Sequence, residues 1–112
     1  MPAYNEASFG NTLVTTSAAS IGTVTSGKVW RITSIIFTNY TDAGTPTSCW
    51  VQLYIGGTTD TYKVKGRISL QPGGSYVFSE PLLLPSGTVI YAAAEANSKV
   101  TAFVNRVEMH TP

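Results

Sequence analysis

Charge is what this chain has least of. Charged residues make up 12% of its 112 positions, with seven basic and six acidic side chains for a net charge of +1. That is about half the usual charged share. Such a balance argues against a large electrostatic footprint for nucleic acid. It also leaves the surface weakly protected against self-association, which suits a protein that works in contact with neighbours. Cysteine is nearly absent: Cys49 stands alone, so no internal disulfide can form. Placed beside Trp50 at a strand start, it reads as a small buried hydrophobe. Histidine is equally scarce. His110 is the single copy, so a zinc site lacks its ligands, and a Cys49–His110 pair has no recognisable nucleophile context. The acids Glu6, Asp42, Asp60, Glu80, Glu95 and Glu108 are scattered, with no spacing that implies a calcium loop or a paired acid–base site. These residues predict no enzyme and no cofactor.

Long apolar runs are missing too. Runs such as 35–37, 82–84 and 91–94 are far short of the roughly 18 residues a membrane span needs. No membrane partner is expected. The first residues, Met-Pro-Ala-Tyr-Asn-Glu, lack the basic and apolar regions of a secretory signal. The expectation is synthesis in a reducing cytosol. Asn39-Tyr40-Thr41 matches a glycosylation acceptor, a match that carries little weight without such a signal.

What the chain does have is β signal. Hydrophobic residues make up 43%, enough for one domain that buries roughly two-thirds of its unfolded surface. The strongest stretch is Lys28 to Asn39, rich in β-branched and aromatic residues and free of Gly and Pro. Its alternating faces are Trp30, Ile32, Ser34, Ile36 and Val29, Arg31, Thr33, Ile35, Phe37. Apolar residues on both faces toward one end predict a central strand covered on both sides. Further strands are expected at 13–17, 21–25, 49–55, 61–70 (bulged at Gly66), 76–79, 82–84, 88–94 and 99–109. Gly/Pro turns such as Gln71-Pro72-Gly73-Gly74-Ser75 separate them. In the last strand Val100, Ala102 and Val104 share one face, and Phe103, Val107 and Met109 the other. That pattern predicts cover by a second sheet on one side and a neighbouring subunit on the other. About eight short strands with regular turns predict an all-β, single-domain antiparallel sandwich, jelly-roll-like.

Three features are candidates for contact. Residues 1–11 are polar with isolated Tyr4 and Phe9. They read as an extended arm on a 12–112 sandwich domain, either a disordered terminus or a strap whose aromatics dock on a partner. Lys63, Lys65 and Arg67 share one face if alternation holds. They are either the charges that blunt an edge strand or a contact for an acidic surface. The aromatics Tyr40, Trp50, Tyr54, Tyr62 and Tyr76 belong to core or interface, or could stack on sugars.

Two segments carry a family resemblance. One is Gly27-Lys28-Val29-Trp30-Arg31-Ile32-Thr33-Ser34-Ile35-Ile36-Phe37-Thr38-Asn39. The other runs from Leu70-Gln71-Pro72-Gly73-Gly74-Ser75 through Leu84-Pro85-Ser86-Gly87-Thr88-Val89-Ile90-Tyr91-Ala92-Ala93-Ala94 to Val107-Glu108. In the order of strands and turns they resemble small β-sandwich head decoration (cement) proteins of tailed bacteriophages. The resemblance implies a non-enzymatic virion protein, made in the host cytoplasm and placed on the outer capsid surface. It implies a homotrimer that binds the major capsid protein and bridges capsomers. Tyr4, Phe9, Lys63, Lys65 and Arg67 would then be the capsid contacts, and Phe103, Val107 and Met109 the subunit interface. The same style of domain occurs in tail and fibre parts, which keeps host-glycan adhesion or tail assembly as the alternative.

Overall fold

The computed structural model describes residues 5–41 and 46–110, with side chains described at 12–41 and 46–109. Nine strands form in chain order: β1 (Asn5–Val14), β2 (Ala19–Thr23), β3 (Lys28–Asn39), β4 (Cys49–Ile55), β5 (Lys63–Leu70), β6 (Ser75–Phe78), β7 (Leu82–Leu84), β8 (Val89–Ala94) and β9 (Val100–His110). One turn of 3₁₀ helix, Asp60–Tyr62, leads into β5, where the sequence pattern extends the strand back to Thr61. The Ala92-Ala93-Ala94 run, whose helix propensity is high, is strand. Ala92 and Ala94 are buried in the core, so tertiary packing decides there.

The strands make two antiparallel sheets, a long one ordered β1-β9-β3-β6 with β7 also on β3, and a short one ordered β2-β8-β4-β5. β6 pairs with Ile35–Thr38 and β7 with Trp30–Ile32. They are therefore two pieces of one edge position, interrupted around Pro81. Pro supplies no N–H to a ladder, and in sheets it is confined to edges, strand starts and bulges. With β6 and β7 counted once, the pairs are β1 with β9, β2 with β8, β3 with β6/β7, and β4 with β5. This is one long hairpin rolled up so that β3 also meets β9 and β4 meets β8, the connectivity of a jelly roll. Eight strand positions result, as the turn spacing predicts.

The core lies between the sheets. Ile35, Phe37, Val51, Leu53, Ile90, Val100, Ala102 and Val104 are fully enclosed there. The two-sided pattern of β3 turns out to have a different cause. Its register against β9 shifts between Ile32 and Ser34, so Thr33 is an extra residue that pairs with nothing. A β-bulge of this kind resets the alternation. Trp30 and Ile32 before it, and Ile35, Phe37 and Asn39 after it, all point inward. β3 is central, but it has one core face rather than two. Residues 5–11, read from sequence as an arm, supply most of β1, which pairs with β9 in unbroken register from Asn5↔Met109 to Val14↔Val100.

Candidate interaction surfaces

Among the described residues, chemistry-bearing side chains do not converge on a metal-binding cluster. Cys49 is a buried thiol at the start of β4. Among the described residues no three His, Cys, Asp or Glu side chains could hold a metal ion, and no helix is long and apolar enough to cross a membrane. What the fold presents is two outer sheet faces and two polar clusters.

The outer face of the long sheet carries apolar side chains among polar ones such as the exposed Arg31 and the hydrogen-bonded pair Ser34 and Asn105. Cross-strand partners share a face, so the β9 register places Phe103 beside Ile36, Val107 beside Arg31 and Met109 beside Val29. Leu13 from β1, Val77 from β6 and Leu83 from β7 join this face, at 47%, 51% and 65% exposure. Phe103, Val107 and Met109 therefore lie together, half-buried, on a surface with exposed apolar neighbours on both sides. Sequence alternation identifies the three on β9; the flanking Leu13, Val77 and Leu83 become visible only once the strand order is known.

The outer face of the short sheet is different. Tyr54 stands opposite Tyr91, and Gln52 opposite Ala93. The Tyr54 hydroxyl donates to Gln52 Oε1 at 2.6 Å, which lets both polar groups sit nearly covered. The Arg67 guanidinium lies 4.4 Å from the Trp50 ring centroid, and Lys63 Nζ 5.8 Å from that of Tyr54. Both are cation–π contacts. Lys63 also meets Asp60 at 3.2 Å. Lys65 departs from the expected common face. β5 carries register shifts on either side of it, so Lys65 stands opposite core-facing Leu53 and reaches Tyr76 of the other sheet, 5.9 Å from its ring. The bulge read at Gly66 is one of those shifts. The basic cluster is thus split, with Lys63 and Arg67 outward and Lys65 at the seam between the sheets. Tyr62 is exposed, but its ring is seated on Gly57, where an added Cβ would come within 2.4 Å of it. Tyr4 lies outside the described residues, and Phe9 stands in β1 opposite Asn105.

The two polar clusters close the ends of β3. At its C-terminal end Asn39, 0% exposed, donates from Nδ2 to the carbonyls of Thr47 and Leu70 at 2.8 and 3.0 Å. Its Oδ1 accepts from the amide and hydroxyl of Thr41 at 3.0 and 2.6 Å. Its carbonyl accepts from Gly73 N–H at 2.8 Å. Gly73 can offer that bond because it takes a φ of 76° in the Pro72-Gly73 turn, a conformation glycine adopts without strain. The Asn-x-Thr triplet is therefore a structural staple, with its asparagine sealed from any glycan. At the other end the Trp30 indole N–H and the Thr25 hydroxyl donate to Glu108 Oε1 at 3.0 and 2.8 Å, and Lys28 Nζ is 3.8 Å from Oε2. These bonds hold the Glu108 carboxyl below the usual carboxylate range, the indole bond contributing most. Arg106 stacks 4.0 Å from the Trp30 ring. Burial lowers its pKa, partly offset by the Glu108 charge. Its Nε is buried without a partner among the described residues. Neither cluster has a cleft chemistry. Both are framework.

This arrangement defines a jelly-roll domain. No protein-family model matches the chain, and no curated protein matches it in sequence. Solved structures do match in fold. A chain of the acidic stable capsid of Helicobacter pylori bacteriophage KHP30 superposes with a TM-score of 0.58 at 9% identity, over 96% of this chain and 93% of that one. A chain of the Bacillus endospore appendages, disulfide-linked pili, superposes with a TM-score of 0.54 at 17% identity, over 98% and 89%. At these identities the likeness is one of fold, and fold alone does not fix function.

Proposed function

We propose that this protein is a non-enzymatic structural component of a virion. In its finer form the proposal is a decoration protein that binds the major capsid protein on the outside of the head. The observation that carries it is the group of apolar side chains on the outer face of the long sheet. Phe103, Val107 and Met109 sit there among the exposed Leu13, Val77 and Leu83. Exposed apolar side chains gathered on one sheet face mark a protein contact. The capsid neighbour supports the reading by sharing the whole fold over nearly the full length of both chains. The pilus neighbour fits less well, because disulfide linkage between subunits needs reachable thiols, and Cys49 is buried.

In this reading the apolar face joins three copies around a three-fold axis. Lys63 and Arg67 on the opposite sheet meet acidic capsid groups, while Tyr4 and Phe9, the latter opposite Asn105 in the long sheet, dock on the capsid separately. Lys65, drawn into the seam, contributes packing rather than contact. Many copies with modest individual contacts stabilise the shell through multivalent attachment. Quantitative mass spectrometry of purified virions against the major capsid protein tests this. Hundreds of copies per particle and loss of heat resistance in particles lacking the protein are expected. A few copies would shift the assignment to the tail or fibre, and absence from particles would overturn it.

A further inference from the structure

The sandwich has four edge positions, and three of them are guarded. β5 carries Lys63, Lys65 and Arg67 and two register shifts. β2 is five residues long with a shift at Ile21. The β6/β7 edge is split into pieces of four and three residues around Pro81. Short strands, bulges, lysines and proline are the devices that prevent edge-to-edge pairing.

β1 has none of them. It is ten residues long, its register against β9 contains no shift, and its sequence Asn-Glu-Ala-Ser-Phe-Gly-Asn-Thr-Leu-Val holds no Pro, Lys or Arg. Among the described residues no strand pairs with its outer side. Alternate N–H and C=O groups along ten residues therefore face outward as a ready pairing template.

We infer that β1 is an association edge, on which a second copy of this chain pairs its own β1 antiparallel about a two-fold axis. The occupant follows from the other edges. A second copy offers four edges, three of them guarded, and β1 is complementary to itself because an antiparallel ladder exchanges N–H and C=O symmetrically. Such a contact is isologous and closed. The only charge on the strand is Glu6. In a pair centred on Phe9 it faces Thr12 of the other copy, so no like charges oppose. The pairing would continue the long sheet, with its apolar face, across both copies. It uses an edge, whereas the three-fold contact proposed above uses a face, and it stands whether or not the protein belongs to a capsid.

A single-cysteine scan of the full chain tests it, with Cys introduced one at a time from Ala7→Cys to Asn11→Cys and the wild type, whose Cys49 is buried, as the background. Mild oxidation should give a disulfide-linked band at twice the chain mass. The yield should peak at one position and fall on both sides, because only the residue on the axis meets its own copy. Hydrogen exchange on the wild type provides the second readout. Protection of alternate β1 amides should rise as the protein is concentrated. No crosslink above background at any position, a yield that is flat across the scan, or β1 amides whose exchange ignores concentration would each overturn the inference. So would protection that appears only when capsids are added, since the occupant would then be another protein.

Discussion

The two ends of β3 are closed by polar clusters of opposite character. At the Asn39 end a neutral amide is fully enclosed, and all of its bonds go to backbone or to Thr41. At the Trp30 end a carboxylate and three nearby cations or donors sit half-covered around an indole. One end is held by groups that do not titrate, the other by groups that do. The strand can serve both because the Thr33 bulge keeps Trp30 and Asn39 on the same side although their spacing is odd. The difference teaches where the stability of this sandwich should depend on pH and where it should not.

The largest effect comes from breaking the phase between the two ends. Inserting one Ala between Ile35 and Ile36 turns Phe37 and Asn39 outward and Ile36 inward, since a one-residue slip reverses every later side chain. The expected result is loss of cooperative urea unfolding. Deleting Thr33 leaves Trp30, Ile32, Ile35, Phe37 and Asn39 in plain alternation. It forfeits chiefly the 3.1 Å bond from Thr33 Oγ1 to the Asn105 carbonyl, so this variant should fold. If both changes were equally damaging, the bulge would matter for its shape and not for phase.

Next comes the neutral end. Asn39→Ala takes the side-chain donor from the buried Leu70 carbonyl, while the Thr41 hydroxyl still reaches the Thr47 carbonyl at 3.0 Å; an unsatisfied buried group costs about 1–3 kcal/mol. A loss of about 1–3 kcal/mol is expected by chemical denaturation, equal at pH 7 and pH 4. Asn39→Asp puts a carboxylate oxygen against those same carbonyls and should restore a pH dependence that the wild type lacks at this end.

The strand layout could be read before the fold was known, and the unread part has a clear physical cause. Strand positions follow from β-branched runs and Gly/Pro turns, and the alternation of β9 put Phe103, Val107 and Met109 on one face. Alternation failed wherever a bulge intervened. Thr33 made β3 look two-sided, and the shifts in β5 moved Lys65 away from Lys63 and Arg67. Bulges leave no compositional mark when the extra residue is an ordinary strand former. Asn39 was equally hidden. Its Nδ2 partners are backbone carbonyls up to 31 residues away, and the nearby Thr41 that bonds its Oδ1 reads from sequence only as part of an Asn-x-Thr triplet. The exposed apolar neighbours of β9 needed the sheet order itself.

The titrating end should show itself in acid. A carboxylate held below its ordinary range stabilises the fold above that range, and the contribution disappears as pH falls through the lowered folded-state value. Glu108 is in that position. Lys28 and Arg106 face it, and Glu6 stands opposite it in the β1–β9 register. Urea unfolding of the wild type should weaken below about pH 4, near and under the unfolded glutamate pKa. Glu108→Gln keeps an acceptor for Trp30 and Thr25 but no charge. It should be less stable at pH 7 by about 1–2 kcal/mol, the worth of hydrogen bonds to a charged group, with a flatter acid limb. An unchanged acid limb would move the titrating group elsewhere.

The smallest effect is expected where the attraction is most conspicuous. Arg106 stacks on Trp30 and is drawn to Glu108, yet burial opposes its charge and its Nε has no partner among the described residues. A cation–π contact at a partly exposed site is worth about 0.5–1 kcal/mol, and a buried, imperfectly bonded charge gives back a comparable amount in desolvation. Arg106→Met keeps a long side chain against the indole and removes both contributions. The two should nearly cancel, leaving stability at pH 7 within about 1 kcal/mol of wild type. The acid limb should flatten little, because Trp30 and Thr25, not Arg106, supply the main hold on Glu108. A loss of several kcal/mol would mean that the guanidinium, and not the indole bond, organises this end of β3, and the contrast with Asn39 would become one of charge against amide alone.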